Sequence, residues 1–105
     1  MNEEKRWVNM IKKNENEILS LNYRDFAALK VTKKTDKLNV ICYELVVEIF
    51  AITEQSLDIY NLGDVEEILT KIKRSIEKLY SQIGLFEEED LTNWVKEFED
   101  MIASY

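Results

Sequence analysis

The chain has 105 residues and a formal charge of -7, with no histidine, no proline, two glycines and a single cysteine. That length is one domain, residues 1–105, large enough to bury a core without disulfide or metal staples. The lone Cys42 excludes an internal disulfide and points to a reducing compartment, read here as the cytoplasm, while the missing histidine removes the usual catalytic base and metal ligand. Histidine-based triads, His/Cys zinc sites and Glu-x-x-His di-iron sites therefore have no residues to be built from.

Scarce glycine and absent proline predict an all-α fold, a compact bundle of four to five short helices at about 3–20, 23–34, 36–57, 64–83 and 88–104. In the first, Trp7, Val8, Ile11, Ile18 and Leu19 form an apolar face interrupted by Asn14 and Glu15. Residues 1–20 lack the unbroken apolar stretch of an export signal.

The second and third helices meet at a basic corner. Here RDFAALKVTKKTDKLN, residues 24–39, resembles a helix-turn-helix, with Ala27 and Leu29 in the first helix, Val31 and Thr32 in the turn, and Lys33, Lys34 and Lys37 opening a recognition helix. Lys30 and Asp36 depart from that pattern, since glycine and an apolar residue are usual at their places. The preferred reading is a helical corner in which Thr35 or Asp36 caps the next helix.

Val40 to Ile52, VICYELVVEIFAI, reads as the central helix. Lys37, Glu44, Glu48 and Gln55 would share one polar seam, and the thiol of Cys42 would be buried and inert. The run is too short, and too interrupted by glutamate, to span a bilayer. The richness in valine and isoleucine supports an alternative, an α+β fold with a hairpin at about 29–43. The absence of strict alternation and of Asn-Gly turn chemistry favours the helix.

The fourth helix is the plainest, with Val65, Ile68, Leu69, Ile72, Ile76, Leu79, Tyr80 and Ile83 on one stripe. Asp64 and Glu67 suggest a capping box, and Gly84 a left-handed ending that folds Leu85 back on Tyr80. Lys71, Arg74 and Lys78 line its outer side. In the fifth helix Leu91, Trp94, Val95, Phe98, Met101 and Ile102 face inward, and Glu87, Glu88, Glu89 and Asp90 match the positive end of its dipole.

Charge is unevenly spread: residues 1–39 hold nine Lys or Arg against six Asp or Glu, and residues 40–105 hold five against fifteen. The acidic excess argues against general nucleic-acid affinity and fits a partner with a basic surface. By elimination the expected function is non-enzymatic, stoichiometric protein binding that inhibits or sequesters a partner, in the manner of immunity proteins, antitoxins and phage inhibitors. No cofactor or metal is expected, nor a membrane partner; a homodimer would cover the wide apolar helix. The partner-contact candidates are Tyr23, Lys33, Lys34, Tyr60, Glu87, Glu88, Glu89, Asp90 and Tyr105. Two alternatives are a DNA-binding regulator using residues 30–37 and a magnesium-dependent helical hydrolase using Glu44 and Glu48. A composition rich in Lys, Glu, Ile and Asn suits a low-GC bacterium or its phage.

Overall fold

The computed structural model describes residues 7–11 and 14–105. Its elements run β1 (Trp7–Asn9), β2 (Glu17–Tyr23), β3 (Ala27–Thr35), β4 (Ile41–Ile49), β5 (Thr53–Ile59), α1 (Leu62–Gln82), a short 3-10 turn (Ile83–Leu85) and α2 (Glu88–Ala103). The five strands form one antiparallel meander in the order β1-β2-β3-β4-β5. The fold is α+β, which overturns the all-α bundle: strands and tight turns occupy the segments predicted as helices at 23–34 and 36–57. The described parts of 3–20 also hold strands, and the rest of that predicted helix lies outside the described residues.

Side-chain alternation explains the sheet. Leu21 and Tyr23 of β2, Leu29 and Val31 of β3, Leu45, Val47 and Ile49 of β4 and Ile59 of β5 point to one face and are buried. Beta-branched and aliphatic side chains at every second position suit a pleated, half-buried surface. The helices cover this inner face. Val65, Ile68, Ile72, Ile76 and Leu79 of α1 and Phe98 and Ile102 of α2 complete the same core. α1 packs on β4 and β5, and α2 packs on β5.

The hairpins turn without glycine. Arg24 and Asp25 both take positive φ, 52° and 54°, the pair of left-handed residues that a type I′ turn needs; the Phe26 N–H donates to the Tyr23 carbonyl at 2.8 Å. Residues 36–40 link β3 to β4, with Asn39 at φ 61°. Asp36 organises this loop, its Oδ1 accepting from the N–H groups of Leu38 (2.8 Å) and Val40 (3.0 Å). Ala51, at φ 63°, turns β4 into β5, an unfavourable conformation for a residue with a Cβ.

Both predicted C-terminal helices are present with different ends. Asn61, not Asp64, caps α1: its side chain accepts from the Gly63 N–H at 2.7 Å. Gly84 lies in the 3-10 turn without positive φ, and Leu85 is 84% exposed instead of folding back on Tyr80. At the start of α2 the Asp90 carboxylate accepts from the Glu87 N–H at 3.0 Å.

An aromatic group ties the β2–β3 end of the sheet to α1. Tyr23 stacks at a tilt on Trp7 (4.7 Å between centroids) and edge-on against Tyr80 (5.5 Å), while the Trp7 indole N–H donates to Glu77 Oε2 at 2.7 Å. Arg24 lies 5.0 Å above the Tyr80 ring, within cation–π range.

Candidate functional site: the acidic outer face of the sheet

The outer face of the sheet carries the alternate residues, and no described element packs on it. Its rows follow from the register: Lys34 beside Cys42, Thr32 beside Glu44 and Asp58, Lys30 beside Val46 and Ser56, Ala28 beside Glu48 and Glu54. A bulge between Glu17 and Leu19 brings Glu17 opposite Thr32 and so onto this face, where it is 4% exposed and lies 3.7 Å from Lys30 Nζ. Five carboxylates, those of Glu17, Glu44, Glu48, Glu54 and Asp58, thus share the face with two ammonium groups.

The charges are unequally matched. Lys34 Nζ bridges Asp58 (3.0 Å) and Glu44 (3.3 Å), and these hydrogen bonds, the one to Asp58 foremost, raise its pKa. The bridge screens one cross-strand pair of carboxylates. The next pair has no such bridge: Glu48 and Glu54 stand directly opposite each other on β4 and β5, and among the described residues neither has an ion-pair partner. Like charges directly opposite on adjacent strands are destabilising. Beside them is an open hollow of about 350 Å³, lined by Ser20, Ala28, Lys30 and Val46 together with the two glutamates. Its lining combines the apolar Ala28 and Val46 with two carboxylates, and its one lysine, Lys30, is paired with Glu17, so it could take a lysine or arginine with its stem on the apolar residues and its cationic head at the carboxylates.

One end of the face is closed by a small cluster. The Tyr60 hydroxyl donates to Asp36 Oδ2 at 2.9 Å. Hydrogen bonds from the Val40 N–H, then from Tyr60, lower the Asp36 pKa, and the same contact with Asp36 raises that of Tyr60. Cys42 is fully buried in this region, and its desolvation raises the thiol pKa, as for an inert structural cysteine.

The residues expected to contact a partner do not converge. Lys34 and Tyr60 belong to the outer-face region. Tyr23, expected to be partly exposed, is 1% exposed in the core, because it sits on the inner face between Trp7 and Tyr80. Lys33 points to the inner side of β3 and is exposed. Glu87, Glu88, Glu89 and Asp90 are exposed at the start of α2, on the helical side of the sheet. Tyr105 is 37% exposed; its hydroxyl donates to Glu67 Oε1 at 3.1 Å and Lys71 Nζ lies 5.0 Å above its ring. Residues 30–37 are strand and turn, so the recognition helix of a helix-turn-helix is absent there. Glu44 and Glu48 lie on a strand and not on a helix seam.

Sequence reasoning missed Glu54 and Asp58 altogether and misread Glu44 and Glu48. Glu44 and Glu48, like Glu54 and Asp58, are four positions apart, which places each pair on one face once the segments are strands but fits a helix face equally well.

No family model, curated protein or solved structure matches this chain. Among the described residues no helix is long and apolar enough to cross a membrane.

Proposed function

We propose that this protein acts by stoichiometric binding, without turnover, of a partner with a basic surface, and that the outer face of the sheet receives it. The observation that carries the reading is the unbridged opposition of Glu48 and Glu54 on a face that no described element covers. A cationic side chain entering between them would remove a repulsion within the folded chain as well as form charge-assisted hydrogen bonds. The helices, by contrast, spend their apolar stripes on the core.

Occupying a basic surface would inhibit or sequester the partner, and the single buried thiol suits action in the cytoplasm. Electrostatic complementarity of this kind speeds association and sets specificity. The test is affinity capture from the host at low ionic strength, followed by a salt gradient. One partner retained near equimolar ratio and released by moderate salt supports the reading. A partner whose retention is indifferent to salt counts against it.

A further inference from the structure

The two edges of the sheet are unequal. Among the described residues β1 has three, whereas β5 is a seven-residue strand in continuous register with β4. Thr53–Ile59 holds no proline, lysine or bulge, and of the devices that blunt an exposed edge it has only the acidic Glu54 and Asp58, which a basic strand would not oppose. The direction of its free backbone groups follows from the ladder. The Asp36 N–H donates to the Val40 carbonyl and the Phe50 N–H to the Phe26 carbonyl, so the even-numbered residues of β4 bond to β3 and the odd-numbered ones to β5. In β5 the residues whose N–H and C=O groups turn to the open edge are therefore Glu54, Ser56 and Asp58. Among the described residues no other backbone hydrogen bond reaches this edge.

We propose that β5 is the docking edge for an extended segment of the basic partner, which adds to the sheet as a sixth strand and alternates basic with apolar side chains. The inference rests on the acidic-face reading above and specifies its geometry. Residues of the added strand opposite Glu54, Ser56 and Asp58 share the outer face with them, where two carboxylates call for lysine or arginine. The intervening side chains fall on the inner side, where α2 packs on β5. There a groove of about 390 Å³ lies between the start of the strand and the helix, with Ile52, Leu91 and Val95 as its apolar lining and Lys96 and Glu99 among its polar residues. A strand edge flanked by a helix is a known setting for strand addition, in which main-chain bonds supply affinity and alternate pockets supply specificity. A second copy of the chain is a poor occupant, because antiparallel pairing of two β5 strands about Ser56 sets Glu54 against Asp58 at both ends.

The probe is an acetylated heptapeptide alternating lysine with isoleucine or valine, titrated against the full chain beside a version N-methylated along its bonding edge. The first peptide is expected to bind and to slow amide exchange at Glu54, Ser56 and Asp58, with the N-methylated one at least about tenfold weaker. Ser56→Pro, whose lost N–H faces the open edge and not β4, is expected to weaken the first peptide about as much, roughly tenfold, while leaving the fold intact. Equal binding of both peptides without slowed exchange overturns strand addition and leaves the acidic-face reading standing. Binding of neither overturns both. A chain that dimerises alone with those amides protected shows that a second copy holds the edge, which also overturns the proposal.

Discussion

Glu48 and Glu54 face each other across β4 and β5 as a directly opposed pair of carboxylates, one row from Ser20 and Lys30 and two rows from the bridge that Lys34 makes between Glu44 and Asp58. The sheet neutralises one acidic pair and leaves the other open. Glu48→Gln should therefore stabilise the isolated protein by about 0.2–1 kcal/mol at low ionic strength. Denaturant unfolding at low and high salt checks this, and the gain should shrink as salt screens the repulsion.

Ala51 holds the β4–β5 turn at φ 63°, where its Cβ crowds the backbone. Ala51→Gly should raise stability by up to about 1 kcal/mol, the relief of the left-handed conformation being partly offset by glycine's greater freedom when unfolded. A shift of the urea midpoint at constant slope is the readout.

Leu45 lies at the centre of β4 and is 1% exposed, in the cluster it shares with α1 and α2. Leu45→Ala should cost about 2–5 kcal/mol, measured by equilibrium unfolding. Val46→Ala, on the neighbouring but outward-facing position, should cost much less.

Asp36 ties the β3–β4 loop through Leu38, Val40 and Tyr60. Its folded pKa lies below the ordinary 3.8, so its contribution is fully present above that value and is lost as pH falls through the lowered one. Asp36→Ala should melt at a lower temperature than the parent at neutral pH, and the gap should narrow below about pH 4. Tyr60→Phe should give a smaller loss at neutral pH, because only one of the three hydrogen bonds to Asp36 disappears.

The helices were legible in the sequence because Val65, Ile68, Ile72, Ile76 and Leu79 recur at helical spacing and every one of them is buried. The strands were not, for two physical reasons. Cys42 and Val46 put apolar residues on the outer face of β4, so Val40–Ile52 reads as apolar on nearly all sides apart from Glu44 and Glu48, and its alternation is hidden. The turns rely on Arg24, Asp25, Asn39 and Ala51 at positive φ, where glycine is the expected marker, and the conventional turn signals available were the Asn22/Asp25 and Asp36/Asn39 pairs. The acidic face was hidden with the strands: Glu44 and Glu48 are four apart, a spacing that falls on one side of a helix and of a strand alike. Tyr23 was misplaced for the same reason, since its inward direction depends on the strand register with Ala27.

The central claim is that the open carboxylates of the outer face hold a basic partner. It is tested most directly by comparing partner retention by the parent protein and by Glu48→Gln/Glu54→Gln, with the unfolding midpoint measured on the same preparations. The predicted result is a variant at least as stable as the parent whose retention falls at least about tenfold, as expected when charge-assisted contacts are lost. A stable variant that retains the same partner undiminished would contradict the account.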